Sequence, residues 1–419
     1  MSKKFKKPNW FIYLIFRCIA KVLAKTKHNL KIIKNETKGV KTAYVIIANH
    51  ESATDYINMA ATVSRRAHYV ISNSFYQTLG IKPLLNAVGV IPKQQFQTTV
   101  NDMKRMKTVI ENNRPIIIYP AGLMTESGIT TPIPKGTGKY LKWLNVDVYV
   151  GYTEGSYLTN PKWSKKKRKG QITLSITKLY SKEELKNLEP NTIQNKVEEV
   201  LYYDAYKNQE RNMIPYKNGD NIENFENVLY ECPKCGALHK MYSQNKNELV
   251  CQECNNTIYA DKYGFLHPKT DKDVAIKLPS DWVRMIQNNL KQKIQANENY
   301  SITDECEIHM IKNNKFVPVG SGNITLDKNN FTLVGKIDDK EINKMLNIVN
   351  YPILPFKPGI CFEIQEQMNI YRIYPKRNKE VTSWIYTLYY LQNKSNYWFL
   401  VWYFFRYITH TVLNHYHKS

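Results

Sequence analysis

The chain has 419 residues, and 60 Lys+Arg against 36 Asp+Glu leave a formal net charge of +24. At about 150 residues per domain, two or three domains fit, and an apolar fraction of 42% with 18 Pro excludes a mostly disordered or fibrous chain. A mean hydropathy of −0.50 excludes a bundle of spanning helices, each of which needs about 20 mainly apolar residues. The basic excess points to an anionic partner, nucleic acid or a membrane surface, without choosing between them.

Residues 10–16 (WFIYLIF) follow Lys3, Lys4, Lys6 and Lys7 as a signal-peptide core would, but Arg17 and Lys21 interrupt the run and no small-residue cleavage site follows. The segment is therefore expected to be retained. Arg17, Lys21 and Lys25 recur every four residues, which gathers the charges on one stripe and predicts an in-plane amphipathic helix over residues 1–28 that docks on a membrane. The alternative is a helix that packs its apolar face on its own protein.

The run AYVIIANH (43–50) predicts a strand buried on both faces, and Ser52 then caps a helix through Val63, with Asp55 three residues on completing a capping-box-like pattern. Strand-like runs recur at 68–72, 115–119 and 146–152, with helical patterns over 99–112 and 138–144, so this region is expected to be an α/β layer structure. The basic run KWSKKKRK (162–169) precedes a strand at 171–179. Residues 181–212 are expected to be helical, and the polar stretch 216–227 is taken as a domain boundary. GTGK at 136–139 has Tyr140 where a phosphate-binding P-loop needs Ser or Thr.

His50 and Asp55 lie where the buried strand ends and the helix begins, the lip of an α/β sheet where sites collect. With His50 just before the helix and Asp55 in its first turn, the carboxylate can hold one ring nitrogen while the other takes a proton. This is a charge-relay pair without the nucleophilic serine of a triad, so the attacking group would be a substrate hydroxyl. The competing reading is a helix-capping carboxylate beside a backbone-bound histidine.

Seven cysteines are unevenly placed: CPKC and CQEC bring Cys232, Cys235, Cys251 and Cys254 together, and Cys18, Cys306 and Cys361 are single. Two such knuckles are expected to form a zinc ribbon over 228–266, whose four thiolates hold a structural zinc, and thiolate ligands favour a reducing compartment. Its role is either to staple two domains or to dock a protein partner. Strand-like runs with Asn, Asp, Gly and Pro turns fill 302–375, followed by a helical stretch at 381–391. Their order over 300–395 resembles a PH- or GRAM-like domain, a barrel of strands closed by a helix, that could hold a lipid or a partner. The aromatic segment 396–419, with Arg406, His410, Asn414 and Lys418 four apart, is expected to be a second amphipathic helix suited to a headgroup boundary.

The blocks NHESATD (49–55), VGVIPK (88–93), IYPAG (118–122) and TPIPKGTGK (131–139), in this order, resemble the lysophosphatidate and related glycerolipid acyltransferases. The resemblance spans about residues 29–215. It implies a mixed sheet flanked by helices, with His50 as general base and Asp55 as its orienting partner. The acceptor lipid hydroxyl then attacks an acyl thioester carried by CoA or acyl carrier protein. It further implies an acceptor site lined by Gly89, Pro120 and Gly122. The third block departs from the family's Phe-Pro-Glu-Gly-Thr-Arg: Ala121 and Met124 stand where the Glu and Arg are expected, and the Arg that ends the second block falls on Gln95 or Lys93. Either Lys93, Lys135 or Glu126 replaces the lost charges, or the acceptor carries a head group other than that of lysophosphatidate.

The leading expectation is a peripheral or monotopic O-acyltransferase on the cytoplasmic face of the cell membrane, with an anionic membrane surface, a lysolipid acceptor and a thioester donor as partners. The alternatives are a nucleic-acid-binding zinc-ribbon protein and a catalytically lapsed lipid-binding homologue.

Overall fold

The computed structural model describes residues 7–94, 100–367 and 369–392. The N-terminal half runs α1 (Trp10–Thr26), β1 (Leu30–Asn35), β2 (Tyr44–Ala48), α2 (Asp55–Thr62), β3 (His68–Ser72), α3 (Asn73–Thr78), α4 (Lys82–Ala87), β4 (Val90–Lys93), α5 (Val100–Glu111) and β5 (Ile116–Ile118). It continues with α6 (Thr137–Leu144), β6 (Asp147–Glu154), α7 (Ser156–Thr159), β7 (Ile172–Tyr180), α8 (Lys182–Asn187), α9 (Pro190–Leu201) and α10 (Ala205–Asn212).

Seven strands form one mixed sheet in the order β1-β7-β6-β2-β5-β3-β4. Neighbours from β6 to β4 are parallel, whereas β7 is antiparallel to β6 and parallel to β1. Every residue of β2 is buried, because both faces of the sheet are covered. Tyr44 and Ile46 pack with Tyr13 and Ala20 of α1 and Met59 of α2. Val45 and Ile47 pack with Met106 of α5, Leu141 of α6 and Val197 of α9. The alternation of strands and helices read from the sequence therefore holds, and the region is a mixed α/β sheet flanked by helices.

Residues 181–212 are helical as expected, in three helices: Pro190 opens α9, and the Asp204 carboxylate caps α10 by accepting from the Tyr206 and Lys207 amides. The helix at the N-terminus packs on its own protein through only part of its apolar surface. α1 buries Tyr13, Ala20 and Ala24 against the protein yet leaves Phe11, Leu14, Ile15, Ile19 and Val22 exposed. Of the basic stripe, Arg17 is half-buried toward the packed side and Lys21 and Lys25 are exposed.

Gly138 explains the GTGK string. A Cβ there would sit 2.3 Å from the Pro190 carbonyl oxygen, and its amide donates to Gln194 at 2.8 Å, so α6 lies directly on α9.

In the C-terminal half, β8 (Met241–Gln244), β9 (Glu248–Cys251), β10 (Thr257–Ala260) and β11 (Leu266–Pro268) make a small antiparallel sheet, followed by α11 (Pro279–Ala296). Then come β12 (Ile302–Lys312), β13 (Lys315–Leu326), β14 (Asn330–Ile337), β15 (Lys340–Asn347), β16 (Phe356–Lys357), β17 (Cys361–Glu366), β18 (Asn369–Pro375) and α12 (Val381–Gln392). These seven strands are antiparallel throughout, in the order β15-β14-β13-β12-β18-β17-β16. Trp384 of α12 stacks on Phe362 at 5.6 Å, so a mainly β unit is closed by a helix, as the sequence predicts.

The polar stretch 216–227 does not mark a gap in packing. One continuous buried cluster runs from Tyr157 and Tyr206 through Phe225 and Trp282 to Phe331 and Trp384. The two halves share it. The expected helix over 396–419 lies outside the described residues, as does Gln95. Among the described residues no helix is long and apolar enough to cross a membrane.

Candidate active site

The chain leaves β2 at Ala48, and Asn49 bolts the turn to the neighbouring strand: its amide donates to the Thr153 carbonyl at 2.7 Å and its oxygen accepts from the Thr153 amide at 2.8 Å. His50 follows at the carboxyl end of the parallel strands, and Asp55 opens α2. His50 Nδ1 lies 2.9 Å from Asp55 Oδ2, which also accepts from the Glu51 and Ser52 amides at 2.7 and 2.9 Å. The Asp55 side chain is fully buried. An ionised carboxylate only accepts, so Nδ1 carries the proton toward Asp55 and Nε2 is the nitrogen that can take one from a substrate.

Aromatic rings fix the imidazole plane. Tyr119 lies against it at 4.5 Å between centroids and Tyr56 meets it edge-on at 5.5 Å. Burial, reinforced by the Asp55 charge, raises both phenols, so they stay neutral neighbours. The same two causes push the Glu51 carboxyl well above the usual carboxylate range, and its Oε2 has no hydrogen-bond partner. The two adjacent acids therefore differ in surroundings: Asp55 is wired to donors, whereas burial favours the neutral form of Glu51.

The expected capping box is only half present. Asp55 does accept from the Ser52 amide, but α2 begins after Thr54, and no side chain caps it. The Ser52 hydroxyl is turned instead to Thr54 Oγ1 and Ser156 Oγ, both at 2.7 Å. Ser156 Oγ in turn donates to Asp55 Oδ1 at 2.5 Å. Ser156 begins α7 just past the end of β6, the parallel neighbour of β2, and no pattern in the sequence ties it to the histidine block.

The third block continues from Tyr119 across the same lip. Gly122 turns with φ of +70°, its amide donating to the Tyr119 carbonyl at 2.9 Å, and the Thr125 amide donates to the His50 carbonyl at 3.3 Å. Pro120 and Gly122 thus stand beside the histidine. Ala121 and Leu123 are buried. Glu126, one of the residues named as a substitute, lies in this block, and Lys162 reaches it from another segment. The buried Glu126 accepts from Tyr386 Oη of α12 at 2.8 Å, and its carbonyl accepts from Tyr157 Oη at 3.0 Å. Lys162 donates to the Met124 carbonyl at 3.4 Å and lies 3.7 Å over the Phe356 ring of β16. Burial pulls the Lys162 ammonium down to about 8, with Glu126 opposing the shift. The basic run 162–169 is therefore not simply a solvated face, since Arg168 is buried as well.

The other expected acceptor residues do not gather here. Gly89 precedes β4 at the opposite edge of the parallel sheet, where its carbonyl accepts from His68 Nδ1 at 2.8 Å. A Cβ at Gly89 would strike Pro8 Cγ at 2.6 Å, and its φ is +83°, so this glycine serves a tight turn. Lys93 follows Ile91 by two residues and so leans to the face covered by α5, where Asp102 opposes a downward shift caused by burial. Lys135 is exposed ahead of α6.

The four clustered cysteines do converge. Cys232, Cys235, Cys251 and Cys254 place their sulfurs within 4.8 Å of one another, with 3.7 Å for Cys232–Cys254 and 3.8 Å for Cys235–Cys251. Zinc–sulfur arms of about 2.3 Å set tetrahedrally give edges of about 3.8 Å, so the sulfur set fits zinc. Gly236 at φ of +73° and Asn255 at +55° turn the two knuckles, and the Gly236 and Asn255 amides donate to the Cys232 and Cys251 carbonyls at 2.9 Å. His239 stays outside the group, stacked on Tyr230 at 4.7 Å.

Among solved structures, the 1-acyl-sn-glycerophosphate (LPA) acyltransferase PlsC from Thermotoga maritima is similar at 15% identity, over 46% of this chain and 77% of that one, with a TM-score of 0.41. The stretch that holds the histidine–aspartate pair, residues 26–150, matches the family model described as Acyltransferase.

Proposed function

We propose that the chain is a membrane-associated O-acyltransferase that moves a fatty acyl group from a thioester, on CoA or acyl carrier protein, to the hydroxyl of a lysophospholipid or related glycerolipid. The observation that carries the reading is the buried Asp55 carboxylate on His50 Nδ1, inside the stretch that matches the acyltransferase family. Nε2 takes the proton of the acceptor hydroxyl as its oxygen attacks the thioester carbonyl. The tetrahedral intermediate expels the thiolate with cleavage of the C–S bond. The thiolate receives the proton back from the imidazolium, leaving an ester and a free thiol. Asp55 stabilises the imidazolium between these steps.

The exposed apolar side chains of α1, with Phe75, Leu79, Ile81 and Leu84 around the neighbouring α3 and α4, support docking on a bilayer. The four-cysteine group binds structural zinc in this reading and staples the halves, since Cys232 and Cys251 sit in the core they share. The strand count and closing helix of 300–395 support a PH- or GRAM-like unit. An acceptor screen with labelled acyl-CoA and acyl carrier protein donors tests the function, with His50→Ala as the control. Transfer lost by about a thousandfold or more in that variant, with its fold intact, is the expected result, and equal turnover by both proteins would sink the mechanism.

A further inference from the structure

The hydroxyls beside the histidine–aspartate pair form a chain with only one possible direction. Asp55 Oδ1 accepts, so the single proton of Ser156 Oγ is committed to it across 2.5 Å. Ser156 can then only accept from its other neighbours, and Ser52 Oγ at 2.7 Å is nearer than Thr54 Oγ1 at 3.2 Å. Ser52 and Thr54 also meet at 2.7 Å, and Ser52 Oγ further accepts from the Thr54 amide at 3.2 Å. The self-consistent arrangement runs from Thr54 to Ser52 to Ser156 to Asp55. Such chains strengthen each member by polarisation. Ser52 and Ser156 are each no more than 1% exposed, so no solvent substitutes for a missing link.

This places a serine at the far end of the pair. A nucleophilic serine gives its proton to the imidazole, whereas Ser156 gives its proton to the carboxylate on the side away from His50. We propose that Ser156 is a positioning residue of the reaction, holding the Asp55 carboxylate oriented and its charge spread while Ser52 and Thr54 hold Ser156. Oδ2 has three donors of its own, from His50, Glu51 and Ser52, and Oδ1 depends on Ser156. Losing that donor concentrates negative charge opposite Nδ1 and frees the carboxylate to rotate. The remaining titratable groups facing the pair are Glu51 from the turn, Tyr56 from α2 and Tyr119 from the third block, each held neutral chiefly by burial.

The inference rests on the acyl-transfer reading for its kinetic consequence but not for its electrostatic one, so two measurements separate them. In the full chain, Ser156→Ala is expected to lower kcat roughly 10- to 100-fold, the range of one hydrogen bond to a buried charge, with KM nearly unchanged. The acid limb of the pH–rate profile moves upward. Ser156→Cys, which keeps a weak donor, falls between. Without substrate, histidine-selective nitrogen-15 NMR of the same proteins, with the His50 signal identified by its loss in His50→Gln, is expected to show the ring titration midpoint higher in Ser156→Ala than in the unsubstituted chain. An unmoved midpoint with kcat within about twofold would overturn the assignment. An unmoved midpoint with KM raised and kcat kept would also overturn it, by making Ser156 a packing residue. If the unsubstituted chain turned over no thioester while the midpoint still moved, the function reading would fail and the positioning role would stand.

Discussion

The turn at 49–55 and the loop at 119–127 flank the same imidazole and are built in opposite ways. The first is held largely from within: Asp55 accepts from His50, Glu51 and Ser52 inside one turn, and Ser156 and Thr153 are its remote side-chain and backbone anchors. The second is held from outside, its carbonyls and Glu126 bound by Tyr157, Lys162 and Tyr386. The proposed proton chemistry is thus positioned locally, while the wall on which an acceptor would rest is tied to remote segments of both halves, Tyr157 and Lys162 from the first and Tyr386 from the second. A relative that kept the first turn and changed these remote contacts would be expected to keep the reaction and change the acceptor.

The sharpest way to break this contrast is to remove the metal that the cysteines are proposed to hold. Loss of structural zinc costs on the order of 10 kcal/mol near neutral pH, and the continuous core from Tyr157 to Trp384 should transmit it. Cys251→Ser, or chelation of reduced protein, is expected to abolish one cooperative melting transition for the whole chain. A separate, unshifted transition of the α/β half would show that the halves fold independently. Metal analysis of the unsubstituted protein supplies the control.

A smaller effect is expected from Tyr386→Phe. It strips one donor from the buried Glu126 and should cost about 1–3 kcal/mol of stability. The acceptor KM should rise several-fold with kcat kept, because His50 and Asp55 are untouched. An effect confined to kcat would mean that the loop governs the base itself.

Least in size is Glu51→Gln. The folded carboxyl is raised by burial first and by Asp55 second, so the folded state resists an ionisation that the unfolded chain undergoes near pH 4.3. Below that pH both states keep the proton and the substitution is nearly neutral. As pH rises toward the folded value, the native protein loses stability that the variant keeps. Melting temperatures at pH 4 and pH 8 should show the variant gaining only at the higher value.

Much of this was legible in the residues. The strand at 44–48 and the pair that follows it could be read because burial on both faces and a short His–Asp spacing leave local marks. The two knuckles were legible for the same reason. Gly89 misled because a glycine required by a left-handed turn looks the same in sequence as one that clears room for a ligand. Ser156, Lys162 and Tyr386 left no mark, since each acts through a contact made only when remote segments meet. α1 was legible as amphipathic, but which of its apolar residues turn inward depends on the small Ala20 and Ala24 fitting against α2.

The edge strand β1 has an implication for synthesis. It is the first of the seven strands to be made, yet its partner is β7, with Leu30 facing Ile172. The parallel centre can assemble as β2 through β6 emerge, but the strand beside α1 must wait for the last one. A nascent chain stopped before residue 172 therefore carries an unpaired edge next to the outward apolar side chains of its first helix, the combination that invites either a chaperone or a lipid surface.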